Sequence, residues 1–186
     1  YSPISNQRTD AYGGDRTGRM RFALEVAEPV RANWPNDLPL SFRISSIDAV
    51  DGGWELDDSV ILARELKTRG VDIVDCSSRG VGAANSLIRL EKAGKSLEEG
   101  YQVPYSEHLR NTVPIPTIAV GLITRPELAE TILRDGRADL IAMGRELLYN
   151  PHWVLHAART LESETKWEDW PPSWNWWLEK RETLGI

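Results

Sequence analysis

Four short apolar segments, Leu38–Ile44, Val71–Cys76, Thr117–Val120 and Leu140–Met143, alternate along the chain with stretches of helical period. Segments this short and this rich in Val, Ile and Leu read as strands, and strands separated by helices run parallel, because a parallel pair needs a long crossover. The first helical pattern starts at Asp15 and carries Met20, Phe22, Leu24, Val26, Ala27 and Val30, with Pro29 expected to kink or end it near its last turn. Asp57 or Asp58 supplies an N-cap for the second, which carries Val60, Ile61, Leu62 and Leu66 and closes at Gly70. A modest helix near Tyr105–Asn111 comes after a long loop, and Thr124-Arg125-Pro126-Glu127 reads as a capping box for a helix ending at Gly136. The last clear helix starts at Asn150-Pro151 and carries Val154, Leu155, Ala158 and Leu161. The class is therefore α/β, with strands apolar on both faces and a parallel sheet covered on its outside by helices.

Four strands cannot close a barrel unaided, so the sheet is either open or half of a barrel whose other strands come from elsewhere. The chain has 186 residues, against about 250 for a complete (β/α)8 barrel. It opens on Tyr1 in a polar, loop-like segment rather than on methionine, which reads as a piece of a longer protein. One domain is expected over residues 1–186, with a tryptophan-rich tail from about 163 to 186.

Charge and composition narrow the function. Lys and Arg number 22 against 28 Asp and Glu, a net charge of -6, with no basic run of the kind that tracks a phosphate backbone, so nucleic acid is not an expected partner. No segment approaches the roughly 20 apolar residues of a membrane span, and the first residues have no signal-peptide pattern, so a soluble, cytoplasmic protein is expected. The single cysteine, Cys76, excludes an internal disulfide and any site built of several thiolates. Cys76 lies at a strand end with no histidine near it in sequence, and reads as a buried structural thiol rather than a nucleophile. His152 and His156 have i, i+4 spacing without the intervening Glu of the zinc motif, and read as an outer-surface pair; no metal is expected.

In α/β folds the ligand lies at the carboxyl ends of the strands. Two of those ends, Val120-Gly121-Leu122 and Met143-Gly144-Arg145, carry a glycine where a missing side chain lets backbone N–H groups approach an anion, and Arg145 adds a positive charge. They suit a phosphate cradle; the alternative is that each glycine serves a tight turn and Arg145 pairs with a surface carboxylate. Arg43 interrupts the apolar strand Leu40–Ile44, where an unpaired cation is costly to bury. It points either to an anionic or electron-rich ligand edge or to a salt bridge with Asp75 or Asp48. Trp167, Trp170, Trp174, Trp176 and Trp177 form a tail too aromatic to stay in water, which packs on its own fold or reaches a neighbouring subunit.

Ser2-Pro3-Ile4-Ser5-Asn6-Gln7-Arg8-Thr9-Asp10-Ala11-Tyr12-Gly13-Gly14 is similar to SPxxNxRxDxYGG, the segment after strand four in the old yellow enzyme family of FMN-dependent ene-reductases. Asp72–Ser78 and Asp139–Arg145 resemble that family's sixth and eighth strands, and Pro171–Glu179 resembles the tail of its thermophilic-like, xenobiotic-reductase branch. The resemblance implies the C-terminal half, strands 5 to 8, of a TIM barrel. It implies that Arg43 contacts the flavin pyrimidine edge, that Gly121, Leu122, Gly144 and Arg145 hold the FMN phosphate, and that Trp177 enters the substrate site of an adjacent subunit in a homo-oligomer. Ser77 and Ser78 would lie at the strand-six rim, and Arg79 stands where the family commonly has glycine.

The chemistry implied is NAD(P)H reduction of FMN followed by hydride transfer to an activated alkene such as an enone, maleimide or nitroalkene. The family's paired substrate-binding histidines, its strand-one cysteine and its tyrosine lie upstream of the matching segment. No catalytic residue is therefore assigned in this chain, and activity is expected to need a second polypeptide supplying strands 1 to 4. The alternative is a non-catalytic phosphate- or flavin-binding half-barrel that assembles with itself.

Overall fold

A computed structural model describes residues 1–78, 97–163 and 167–186. Helix α1 (Arg16–Asn33) is followed by β1 (Ser41–Ser45), α2 (Leu56–Thr68), β2 (Ile73–Ser77), α3 (Val103–Thr112), β3 (Thr117–Ala119), α4 (Pro126–Arg134) and β4 (Leu140–Ile141). Three helices close the chain, α5 (Arg145–Tyr149), α6 (Trp153–Thr160) and α7 (Asn175–Thr183). The four strands form one parallel sheet in the order β1-β2-β3-β4, with Arg43 opposite Asp75, Asp75 opposite Ile118 and Ile118 opposite Leu140. The expected class is therefore observed. Arg79, after the second strand, lies outside the described residues.

Strand alternation sends Ile44, Val74, Cys76 and Ala119 into the helices, where all are buried. The core has two parts. One joins α1, α2 and α3 to β1 and β2 through Leu24, Leu62, Leu66, Leu109 and Trp54; the other joins α4 and α6 to β3 through Ile132 and Trp153. Trp54 is held by both of its N–H groups, the backbone donating to Asp48 Oδ2 at 2.7 Å and the indole to Ser59 Oγ at 2.7 Å.

The other face of the sheet corrects the expectation of strands apolar on both sides. It carries Ser41, Arg43 and Ser45 of β1, Ile73, Asp75 and Ser77 of β2, Ile118 of β3 and Leu140 of β4. None of these is fully buried, Leu140 is 53% exposed, and the Arg43 side chain is 64% exposed. Arg43 is thus not a cation buried in a strand: among the described residues the face it stands on has no covering layer, and β1 and β4 are free edges.

Several helix ends also differ from expectation, each for a local reason. α1 runs through Pro29 because that residue lies on the solvent side, where water can take the carbonyl its missing N–H leaves free. The N-cap of α2 is Glu55, whose N–H donates to Asp58 Oδ2 at 3.0 Å, so Asp58 reaches back to the cap rather than being it. Thr124 does not cap α4; its hydroxyl donates to Glu99 Oε1, and Arg125 Nε donates to Glu99 Oε2 at 2.7 Å. The short α5 was not expected, and α6 begins at Trp153 rather than at Asn150.

Cys76 is fully buried, and burial, with a smaller contribution from Asp75, pushes its thiol up to about 12. A folded thiol that holds its proton while the unfolded one releases it near its ordinary value makes stability fall as pH rises from about 9 towards 12. Cys76 is predicted to resist an aromatic disulfide reagent at pH 9 in the folded protein and to react within the mixing time in denaturant, and the urea midpoint is predicted to drop between pH 8 and pH 11 by more in this chain than in Cys76→Ala.

Candidate cofactor site

All four strands deliver their carboxyl ends to one cleft of about 930 Å³. β1 contributes Arg43 and Ser45, β2 contributes Ser77 and passes to Ser78, the loop after β3 contributes Gly121 and Leu122, and the turn after β4 contributes Gly144 and Arg145. Arg43, Gly121, Leu122, Gly144 and Arg145, scattered over about a hundred residues of chain, are thereby brought to one cavity.

The β3 loop has an unusual backbone. Gly121 has φ 122 and Leu122 has φ 50, two successive residues in the region that favours glycine. A side chain on Gly121 would also press on Tyr101 and Gln102 at 3.1–3.3 Å. The loop is tied down from outside the strand: the N–H of Gly100 donates to the Gly121 carbonyl at 2.9 Å, and Ser78 N–H donates to Gln102 Oε1 at 2.7 Å. Glu99, held below its usual range by the Thr124 hydroxyl and then by Arg125, pins the far end.

At Gly144 the situation is reversed. A Cβ there would meet nothing within 4 Å, so the glycine leaves open space at the cleft wall rather than relieving a clash. Neither Leu122 nor Gly144 gives its N–H to a backbone acceptor among the described residues. Arg145 is exposed and has no ion pair or hydrogen bond among them, so the pairing with a surface carboxylate considered above is not observed there. An open glycine, a reversed loop and a free guanidinium fit a phosphate.

Arg43 shows features of both of its readings. It lines the cleft, its Nε donates to Ser77 Oγ at 3.0 Å, and it lies 3.8 Å from Asp75 Oδ2. Asp48 is not its partner, being occupied by the Trp54 N–H. Burial raises the Asp75 carboxyl, with Arg43 partly opposing the rise.

Trp177 does not line the cleft. It stands on α7, 43% exposed, with its ring 5.9 Å from that of Trp176. The tail is anchored instead by Trp170, 6% exposed, whose ring stacks on His152 and His156 at 5.6 and 5.5 Å. The two histidines thus serve as a seat for the tail.

Tyr101, Gln102 and Ser78 also line the cleft. The first two carried no signal in the sequence, because their place depends on the Gly100–Gly121 bond. A separate groove of about 530 Å³ lies between the N-terminal segment and α1, but its two arginines are already used, Arg8 by Asp10 and Arg19 by the carbonyls of Tyr1 and Gly14.

Residues 1–164 match the NADH:flavin oxidoreductase / NADH oxidase family. The chain belongs to that family. An NADPH dehydrogenase of Bacillus velezensis is 45% identical over 163 residues, 88% of this chain and 45% of that protein, and one of Bacillus subtilis is 43% identical over the same shares. The chain therefore spans less than half the length of these relatives. Family membership bears out the expectation of FMN as cofactor and the resemblance to old yellow enzymes, and the relatives are named as NADPH dehydrogenases.

Among solved structures, a 2-naphthoyl-CoA reductase in complex with 2-naphthoyl-CoA superposes with a TM-score of 0.72 at 22% identity, covering 86% of this chain and 24% of that one. A histamine dehydrogenase from Rhizobium sp. 4-9 superposes at 0.68 and 24% identity, covering 86% and 22%. These likenesses speak for the fold alone, an α/β architecture of the TIM-barrel type. The family match ends at residue 164, before the tail that holds Trp177.

The two glycines are predicted to behave differently. Gly121→Ala should cost about 1–3 kcal/mol of folding stability, since its backbone is strained for any side chain, whereas Gly144→Ala should change stability by less than about 0.5 kcal/mol; urea unfolding of both variants measures the contrast.

Proposed function

We propose that this chain is the strand-5-to-8 half of an FMN barrel that carries reducing equivalents from NADPH to an activated alkene, such as an enone, a maleimide or a nitroalkene. The observation that carries the reading is the convergence of Arg43, Gly121, Leu122, Gly144 and Arg145 on one cleft at the carboxyl ends of the strands. When bound, FMN supplies two-electron chemistry, accepting hydride from the nicotinamide and passing it to the β-carbon of the alkene.

Arg145, with the backbone of Gly121, Leu122 and Gly144, holds the phosphate, a dianion matched by one guanidinium and several amide dipoles. Arg43 turns its terminal amino groups to the electron-rich pyrimidine edge, where a fixed cation favours the negative charge that reduction brings. No group of this chain is assigned to protonate the α-carbon or to hold the substrate's carbonyl; the half supplying strands 1 to 4 provides both. The open sheet face and the free edges of β1 and β4 favour such a partner. Trp177, exposed and outside the cleft, is available to reach the substrate pocket of an adjacent subunit in a homo-oligomer.

The same free edges favour a second reading, in which two copies pair β1 with β4 and form a non-catalytic flavin-binding pseudo-barrel. The readings separate on one set of measurements. FMN should quench on titration into the chain, and Arg145→Ala should raise its dissociation constant by at least about tenfold, the worth of one charge-assisted hydrogen bond, while riboflavin, which lacks the phosphate, is unaffected. NADPH-dependent reduction of cyclohexenone should appear only after addition of the strand-1-to-4 half of a relative. Turnover by the chain alone would refute the need for a partner; flavin binding without turnover in the reconstituted mixture would favour the pseudo-barrel; no quenching would end both.

A further inference from the structure

Asp75 and Ser77 follow one another on the open face of β2, with Arg43 directly across the register on β1. Ser77 has one hydroxyl proton, and Ser77 Oγ gives it to the Ile44 carbonyl at 3.2 Å. Its lone pairs are therefore what Arg43 Nε meets at 3.0 Å, so the hydroxyl acts towards Arg43 only as an acceptor. Asp75 Oδ2 lies 3.8 Å from the same Nε, beyond a hydrogen bond but close enough for attraction in a half-buried setting. The Asp75 side chain is only 13% exposed, and its other oxygen, Oδ1, is buried without a hydrogen-bond partner among the described residues.

A carboxylate so placed is costly unless a nearby cation compensates it. Arg43 in turn is 64% exposed and would otherwise sweep through solvent. Both of its terminal amino groups are without a partner among the described residues, so its inner edge is engaged and its outer fork is free.

We propose that Asp75 and Ser77 are positioning residues that clamp Arg43 by its Nε edge and present its two terminal amino groups to the cleft. Ser77 sets the rotation of the guanidinium plane, and Asp75 keeps it against β2 rather than in bulk solvent. The clamp is a property of the unliganded chain; that its beneficiary is the flavin ring rests on the reading given under Proposed function.

The two are tested separately. In arginine-selective nitrogen-15 spectra of the full chain without ligand, the Arg43 Nε–H should exchange with water at least about tenfold more slowly than that of Arg21, which has no hydrogen bond among the described residues, in keeping with one charge-assisted hydrogen bond. Ser77→Ala and Asp75→Asn should each remove that protection while leaving the thermal unfolding midpoint within a few degrees. Exchange of wild-type Arg43 as fast as Arg21 overturns the clamp, whatever FMN does.

In FMN titrations, Asp75→Asn should weaken binding in the wild-type background and have less than about a twofold effect in Arg43→Ala, the non-additivity expected when one residue acts through another. Additive losses would make Asp75 merely structural and overturn the proposal. Protected exchange in a chain that fails to bind FMN would uphold the clamp and refute the flavin reading alone.

Discussion

A parallel sheet is stable when crossovers bury it, and the helices among the described residues cover a single face. That asymmetry governs the molecule. Because α1 to α4 and α6 pack on one side, the buried apolar strand residues Ile44, Val74, Cys76 and Ala119 point there. The residues between them are left on an open wall, and the wall's upper rim becomes the cleft. The open face is also mostly polar, carrying Ser41, Arg43, Ser45, Asp75 and Ser77 beside Ile73, Ile118 and Leu140. Hydration of that wall costs far less than hydration of the helix side would, so the fold can be read from one face while its chemistry waits on the other.

The cleft combines two kinds of backbone economy. At Gly121 the glycine is required by the chain itself, because both the φ of 122 and the contacts with Tyr101 and Gln102 forbid a side chain. At Gly144 no described atom lies within 4 Å of where one would stand, which leaves open space at the cleft wall. Only the second kind points to a ligand by its own geometry; the first shapes the loop that faces it. The charges follow the same division. Arg145 has no partner among the described residues beside the open glycine, whereas Arg43 is tied to β2 by its Nε edge.

Much of this was legible in the sequence, for reasons that lie in periodicity and topology. Short apolar runs located the four strands, the last two ending in glycine, and parallel topology sends all four carboxyl ends to one side, while the resemblance to old yellow enzymes is what named the five cleft residues together. What was not legible depended on distant partners. Glu99 takes Thr124 and Arg125 from 25 and 26 residues away, and so removes a capping box that the local motif spelled out. Gln102 and Tyr101 enter the cleft through the Gly100–Gly121 bond, which no local pattern announces. The burial of β1 was misjudged because an apolar run does not reveal whether a second layer exists to cover it.

The placement of Asp75 argues that the open wall is adapted to its rim rather than left over from folding. A carboxylate with one unpartnered buried oxygen lowers stability wherever it stands, and a serine or an apolar residue at that register would cost the isolated chain less. Its carboxyl is raised by burial, and among the described residues the charge opposing the rise is Arg43. Exchanging the carboxylate for a neutral group would therefore ease the fold and loosen the guanidinium together. The two effects cannot be separated at this position, because the same burial that strains Asp75 is what makes its attraction for Arg43 strong. A residue whose cost to the fold and whose hold on a cleft cation come from the same low-dielectric contact belongs to the cleft's chemistry rather than to its packing.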